Sequence, residues 1–182
     1  MTTALLIIDI QNDYFPGGAM EVVGATAAAT QAARLLAAFR QQARPVIHMQ
    51  HIAARAGATF FLPNSVGAEI HEFVHPVPDE PIFQKHFPNS FRETPLLEHL
   101  RSTDIDRLVI AGMMTHMCID TTTRAAADLG FACSLAHDAC ATRSLSFNGV
   151  QVPAESVQTA YLAALNGLFA KVLSANELCT DL

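Results

Sequence analysis

Residues 107–136 read RLVIAGMMTHMCIDTTTRAAADLGFACSLA and combine three successive patterns of hydrophobicity. The apolar run 107–112 predicts a strand buried on both faces, and the Ala-rich segment 116–129 predicts a helix. Gly130 follows at the position where a helix often ends in a left-handed residue, and 131–136 predicts a second strand. A strand, a helix and a strand in this order indicate a parallel crossover, which decides the class of fold.

The alternation of strands and helices continues on both sides of this crossover. Further strands are predicted over 4–10, 46–50, 81–85 and 171–173, and further helices over 25–42, 94–102 and 153–169, the second with Thr94 as its N-cap. Residues 52–80 and 143–153 are predicted to be loops, the first with a short helix near 66–73. The prediction is an α/β fold with a single domain over residues 1–182. It is expected to be a three-layer α-β-α sandwich on a mainly parallel, Rossmann-like sheet of roughly six strands.

Composition narrows the possible classes of function. Hydrophobic residues make up 51% of the chain and charged residues 15%, which favours a folded domain over a disordered one. The net charge of −6 argues against binding to nucleic acid. No apolar run reaches the roughly 18 to 20 residues that span a bilayer, and the first residues do not resemble a signal peptide. We therefore expect no membrane association and a cytoplasmic location, with the four cysteines as thiols because none has CxxC spacing.

Three reactive side chains are predicted at the carboxyl ends of strands, where open parallel sheets bind their ligands. Asp9 ends the first strand, Lys85 ends the strand over 81–85, and Cys118 follows the strand over 107–112. We therefore expect an acid, a cation and a thiol to meet at one edge of the sheet. Each residue also has an ordinary structural interpretation. Asp9 could bond loop amides, Lys85 could be a solvated strand end, and Cys118 could be a small core residue.

Cys118 is the candidate nucleophile. Thr115 is a suitable N-cap and would place Cys118 in the first helical turn, where free N–H groups and the helix dipole are expected to lower the pKa of the thiol. Lys85 would act in the same direction, while Asp9 would accept the thiol proton and return it to a leaving amine. Backbone N–H groups of the turn GMMTH, residues 112–116, would stabilise an oxyanion. This combination indicates acyl transfer through a thioester.

Three separated motifs resemble those of the isochorismatase-like cysteine hydrolase superfamily, which includes nicotinamidases and N-carbamoylsarcosine amidohydrolases. They are LLIIDIQNDYFPGGAM at 5–20, KHFPNSFRETPLLEHL at 85–100 and VIAGMMTHMCIDTTTRAAADLGF at 109–131, with HDACATR at 137–143 as a weaker fourth. The resemblance implies the isochorismatase-like hydrolase fold, with Asp9 as general base, Lys85 as supporting cation and Cys118 as nucleophile. It also implies an oxyanion hole made by the backbone N–H groups of Met114 and Cys118, and a cis peptide between Met113 and Met114.

The sequence departs from the nicotinamidases at their metal site. Those enzymes carry an Asp-x-His pair after the second strand, whereas residues 48–57 read HMQHIAARAG, with Gln50 near the position of the Asp. We interpret the scattered histidines as polar surface or core groups, so that no metal and no cofactor are expected. They include His48, His51, His71, His75 and His86. Isochorismatases of this superfamily can lack the nucleophilic cysteine, so Cys118 favours amide chemistry.

The expected activity is hydrolysis of a small-molecule amide, imide or ureido C–N bond through a Cys118 thioester. Phe15, Phe87, Phe91 and His116 flank the motifs and are candidate substrate contacts, although the phenylalanines suit an ordinary core equally well. Two alternatives stay open. One is vinyl ether hydrolysis of the isochorismatase type, with Asp9 acting without covalent catalysis, and the other is a redox-active thiol. Many relatives assemble, so a homo-oligomer, either a dimer or a tetramer, is expected.

Overall fold

The central sheet has six strands, and every neighbouring pair is parallel, as predicted. A computed structural model describes residues 2–182. The strands are β1 (Thr2–Ile8), β2 (Val46–His51), β3 (Ile82–Lys85), β4 (Ile105–Met113), β5 (Ala132–Ala141) and β8 (Lys171–Leu173). Their order across the sheet is β3-β2-β1-β4-β5-β8. A short antiparallel hairpin of β6 (Leu145–Phe147) and β7 (Val150–Val152) stands apart from this sheet.

Helices cover both faces of the sheet and complete the predicted three-layer sandwich. Within residues 2–182 they are α1 (Ala25–Gln41), α2 (Leu96–Ser102), α3 (Asp120–Asp128), α4 (Ala154–Leu165) and α5 (Ala175–Thr180). Because successive strand residues point to opposite faces, Leu5 and Ile7 pack in the core beneath α1 and α5. Leu6 and Ile8 pack in the second core, with α2, α3 and α4. None of the helices described combines the length and the apolar content needed to cross a bilayer.

The bounds of several elements differ from those predicted. β1 ends at Ile8 rather than at residue 10, because Asp9 adopts a left-handed conformation with φ of 52°. Helix α2 begins at Leu96 with Pro95 at the N-cap position. The Thr94 hydroxyl still accepts from the N–H of Leu96 at 3.4 Å, as an N-cap side chain does, and it donates to the carbonyl of Ser90. β5 continues to residue 141, beyond the predicted 136, whereas α4 stops at residue 165, before the predicted 169.

The two predicted loops contain more structure than expected. Residues 52–80 contain two 3₁₀ turns, Val66–Ala68 and Glu72–Val74, instead of one short helix. The β6–β7 hairpin occupies most of 143–153 and turns at Asn148 and Gly149, both with positive φ. An Asn-Gly pair is a strong sequence signal for a hairpin, and the prediction overlooked it. Helix α5 was also missed, although Ser174 and Glu177 form a capping box at its start.

The carboxyl ends of β1 and β4 are brought unusually close by a glycine. Gly112 lies beside Ile8 in the register of the two strands and has a φ of 138°. A Cβ at this position would lie 1.9 Å from the carbonyl oxygen of Ile8, so that only glycine fits. The approach places Asp9, the next residue after Ile8, beside the chain segment that leads to Cys118.

Candidate active site

The three side chains predicted at the strand ends meet in one buried cluster. Lys85 Nζ lies 2.7 Å from Asp9 Oδ2 and 3.3 Å from Cys118 Sγ. Asp9 and Lys85 are fully buried, and Cys118 is 5% exposed. Burial alone would lower the pKa of Lys85, but Asp9 and Cys118 outweigh it and raise that pKa above its usual value. Lys85 is therefore a buried cation in contact with both an acid and a thiol.

Asp9 is held by its backbone. Its N–H donates to the carbonyl of Met49 on the neighbouring strand at 3.1 Å, and its left-handed conformation turns the chain out of the sheet. The carboxylate is fully buried, its Oδ2 contacts Lys85 Nζ, and it also interacts with the Cys118 thiol. Asp9 is therefore in a position to exchange a proton with that thiol.

Cys118 lies in a single π-helical turn, Thr115–Ile119, which precedes α3. The predicted first turn of an α-helix is therefore wrong, and Thr115 is not its N-cap. The Thr115 hydroxyl instead donates to the carbonyl of Ala141 on β5, while the carbonyl of Met114 accepts from the N–H groups of Met117 and Ile119. The peptide between Met113 and Met114 is cis, as the resemblance implied. The oxyanion role of the Met114 and Cys118 N–H groups stays a prediction.

The expected lowering of the Cys118 pKa is also wrong. Burial raises the pKa of this thiol, and the neighbouring Asp9 carboxylate raises it further. Lys85 acts in the opposite direction but does not outweigh them. The sequence argument counted the helix N-terminus and the cation, but not the desolvation or the nearby negative charge. At neutral pH, the resting cluster thus combines a neutral thiol with an Asp9–Lys85 ion pair.

His51 is a further member of the cluster that sequence reasoning did not assign. Its Nδ1 lies 3.1 Å from Lys85 Nζ and 3.9 Å from Asp9 Oδ2. His51 ends β2 and pairs with Lys85, which ends β3, in the register of the two parallel strands. Burial lowers the pKa of His51, an effect that Asp9 opposes and that Lys85 and His86 reinforce. The imidazole is therefore neutral at pH 7.

Tyr14 also interacts with the cluster and was not predicted. Tyr14 is 2% exposed, and its ring packs against that of Phe61 at 4.6 Å between centroids. Burial raises the pKa of Tyr14 well above its usual value, and Cys118 and Asp9 raise it further, whereas Arg143 lowers it. The phenol therefore interacts with the Cys118 and Asp9 side chains and with the guanidinium of the exposed Arg143.

The structure separates the four candidate substrate contacts. Phe15 stacks on the ring of His71, with centroids 3.5 Å apart, and the carbonyl of Phe87 accepts from Lys85 Nζ at 3.1 Å. His116 is buried, with Nδ1 2.6 Å from the hydroxyl oxygen of Thr142. Phe91 lies parallel to the ring of Phe131 against the second core. Phe87 therefore contacts the cluster directly, and the role of all four in substrate binding stays a prediction.

The position that a metal ion would take among these groups is held by a lysine. The ligand atoms of Asp9, His51 and Cys118 lie within 4.8 Å of one another, a spacing that suits a bound cation. The Lys85 ammonium is 2.7 Å, 3.1 Å and 3.3 Å, respectively, from these same side chains. The cluster thus already contains the positive charge that such ligands require.

Comparison with known proteins identifies relatives in both sequence and fold. The sequence model of the isochorismatase domain matches residues 3–177. The isochorismatase family protein YddQ of Bacillus subtilis strain 168 is 51% identical over 172 residues, which cover 94% of this chain and 96% of that protein. A crystal structure from Oleispira antarctica, described as an isochorismatase hydrolase, has a TM-score of 0.95 at 53% identity and covers 98% of this chain and 96% of its own. A nicotinamidase of Escherichia coli strain K12 is 27% identical over 174 residues, covering 75% of this chain and 82% of that protein.

Proposed function

The chain belongs to the isochorismatase family of hydrolases, and from this premise we propose that it cleaves a small-molecule amide, imide or ureido C–N bond through a Cys118 thioester. One observation carries the proposal: a buried ammonium, Lys85, lies 2.7 Å from a carboxylate oxygen of Asp9 and 3.3 Å from the Cys118 sulfur. An acid, a cation and a thiol in mutual contact are the groups that covalent acyl transfer needs. The similarity to a protein named nicotinamidase supports an amide as the substrate.

The first step forms the thioester. Asp9 accepts the Cys118 proton as the sulfur attacks the substrate carbonyl carbon, so that the thiolate exists only while the S–C bond forms. This timing follows from the raised pKa of the thiol, which keeps it protonated at rest. Lys85 stabilises the developing negative charge on the sulfur, and the N–H groups of Met114 and Cys118 stabilise the oxyanion. The C–N bond then breaks as Asp9 returns the proton to the leaving nitrogen, which departs as ammonia or an amine or, from an imide, as a carboxamide.

The second step hydrolyses the thioester. Asp9, again a carboxylate, accepts a proton from a water molecule as its oxygen attacks the thioester carbon. The C–S bond breaks, Cys118 regains the proton, and a carboxylic or carbamic acid leaves. One carboxylate thus serves as base and acid in both steps. The carboxylate, which contacts Lys85 and interacts with the Cys118 thiol, holds the proton between its uptake and its release.

The experiment is a hydrolysis screen over small amides, ureides and carbamoyl compounds, followed by ammonia release, and over imides, followed by loss of the substrate in liquid chromatography. Each class is tested with and without a carboxylate because the Arg143 cation interacts with the Tyr14 phenol beside the cluster. We expect turnover in the wild type and a loss of about 10³-fold or more in Cys118→Ala. Mass spectrometry of the Asp9→Asn variant incubated with a substrate should show little acyl-enzyme. The control is Cys133→Ala, a buried thiol outside the cluster, which should keep its activity. Full activity in Cys118→Ala contradicts the thioester.

A second candidate is vinyl ether hydrolysis of the isochorismatase type. The raised pKa of the Cys118 thiol favours it, because a neutral thiol is a poor nucleophile. In that reaction Asp9 protonates the substrate and Cys118 only lines the site. The same variant separates the two candidates, since Cys118→Ala should hydrolyse a vinyl ether at nearly the wild-type rate.

A further inference from the structure

The Lys85 ammonium lies among four acceptors. Asp9 Oδ2 is 2.7 Å from Nζ, His51 Nδ1 and the Phe87 carbonyl oxygen are each 3.1 Å from it, and Cys118 Sγ is 3.3 Å from it. Asp9 and Cys118 are the reacting groups of the proposed function, whereas His51 and Phe87 belong to the framework around them. The position of the ammonium between base and nucleophile therefore depends on the two framework acceptors.

The contact with Lys85 determines which nitrogen of His51 carries the ring proton. An ammonium group can only donate hydrogen bonds, so Nδ1 must accept and the proton must lie on Nε2. A protonated imidazole would instead place two cations 3.1 Å apart. His51 thus contacts Lys85 as a neutral acceptor that has no charge of its own to compete with Asp9.

Gln11 anchors the backbone of His51, which carries the imidazole. The N–H of His51 donates to Gln11 Oε1 at 2.7 Å, and Gln11 Nε2 donates to the carbonyl of His51 at 2.9 Å. Gln11 is itself fully buried and also donates to the carbonyl of Ala68. The His51 ring lies 5.9 Å from that of Phe61. An acceptor fixed in this way does not follow the flexible lysine side chain, so it can hold the ammonium at a set position.

We propose that His51 is a positioning residue that holds the Lys85 ammonium between Asp9 and Cys118. The inference rests on the proposed function, because it assigns Lys85 to the support of a Cys118 thiolate. Without the neutral acceptor, the ammonium moves toward Asp9, which is its charged partner and its shortest contact, and away from Cys118. The thiolate then loses its counter-charge and forms less readily.

Three substitutions of His51 distinguish the loss of the hydrogen-bond acceptor from the loss of ring volume. His51→Leu keeps much of the volume and removes the acceptor. His51→Asn is smaller but places an amide oxygen near the position of Nδ1, and His51→Gln places its amide further out, near Nε2. The readout is alkylation of Cys118 by iodoacetamide at pH 8, followed by mass spectrometry. The control is His86→Asn, a neighbouring exposed histidine whose Nδ1 bonds to the carbonyl of Ile52.

We expect the Leu and Gln variants to be alkylated at least about 10-fold more slowly than the wild type, and the Asn variant to stay within about 3-fold. A wild-type rate in the Leu variant, or an Asn variant as slow as the Leu variant, overturns the proposal. If circular dichroism shows the Leu variant to be unfolded, the Gln and Asn variants decide the question. Alkylation needs no substrate. A chain that hydrolyses no amide yet shows this pattern would therefore refute the proposed function without refuting the role of His51.

Discussion

Asp9 and Lys85 act in opposite directions on the same sulfur. Asp9 raises the pKa of the Cys118 thiol, after the larger effect of burial, and Lys85 lowers it. Asp9→Asn removes the negative charge while keeping the shape of the side chain. We therefore expect the thiol to ionise more readily in this variant and iodoacetamide to alkylate Cys118 about 10-fold faster at pH 7. Hydrolysis should fall by about 10²- to 10⁴-fold, because the proton carrier is lost.

The opposite responses of alkylation and turnover distinguish this arrangement from a merely damaged site. Asp106→Asn, an exposed carboxylate on β4, is the charge-matched control and should change neither rate. Cys118→Ala identifies the alkylated residue, since Cys133, Cys140 and Cys179 are also free thiols. Slower alkylation in Asp9→Asn would show that Asp9 assists ionisation of the resting thiol, contrary to our reading of its charge.

At the scale of residues, sequence reasoning was able to find three side chains that meet in the cluster but not their surroundings. The rule that ligands bind at the carboxyl ends of parallel strands led to Asp9, Lys85 and Cys118. It could not lead to His51, because the contact depends on the register of β2 against β3, which no local pattern determines. The state of the thiol was predicted wrongly, since desolvation depends on the packed structure rather than on neighbours in the chain.

At the scale of elements, the connection between β4 and α3 shows a similar limit. The strand and the helix were both predicted, but the π-helical turn between them was not. In this turn the Thr115 hydroxyl bonds to β5 and does not cap the helix that follows. That partner is 26 residues away in sequence, so the choice between capping and cross-strand bonding cannot be read from the segment itself.

The close approach of β1 and β4 yields a second prediction at this scale. Gly112→Ala would force its Cβ against the carbonyl of Ile8 and separate the two strand ends. We expect the free energy of unfolding to fall by about 3 kcal/mol or more, measured by urea denaturation. Activity of the folded fraction should also fall, because Asp9 follows Ile8.

The control for this substitution is Gly130→Ala. Gly130 also has a positive φ, of 93°, but a Cβ there would meet no atom within 4 Å. The Gly130→Ala variant should therefore lose only about 1 to 2 kcal/mol of unfolding free energy, the cost of a left-handed backbone for alanine, and should keep its activity. Equal losses in the two variants would mean that backbone conformation, and not the contact with Ile8, makes glycine necessary at position 112.

At the scale of the whole molecule, the surface carries apolar side chains that the core does not use. Phe147 and Val150 on the β6–β7 hairpin are 77% and 64% exposed, and Leu168 after α4 is 80% exposed. Phe147 and Val150 pair across the hairpin, and exposed apolar side chains grouped in this way are typical of contact surfaces. The homo-oligomer expected from the sequence stays a prediction, which light scattering of the purified chain checks.

Glu80 joins distant parts of the chain and makes the stability of the whole fold sensitive to acid. Its carboxylate accepts two bonds of 2.7 Å from Arg40 on α1 and lies 2.9 Å from Nε2 of the buried His48 on β2. Burial alone would raise the pKa of Glu80, but these bonds and one from the N–H of Val77 outweigh it and lower that pKa to about 2. In the unfolded chain the pKa returns to 4.5. The stabilisation is therefore fully present above pH 4.5 and is lost as the pH falls toward 2.

Glu80→Gln should remove this acid-dependent part of the stability. At pH 6 we expect the variant to be about 1 to 3 kcal/mol less stable than the wild type in urea denaturation. The difference in unfolding free energy between the variant and the wild type should narrow by about 1 to 2 kcal/mol at pH 3. At that pH, Glu80 takes up a proton in the unfolded wild type but not in the folded wild type, which lowers the stability of the wild type. Glu93→Gln, whose carboxylate is 65% exposed and 3.5 Å from Arg92, is the control and should match the wild type at both values of pH. A difference between Glu80→Gln and the wild type that stays constant from pH 6 to pH 3 would show that Glu80 acts through packing and not through its charge.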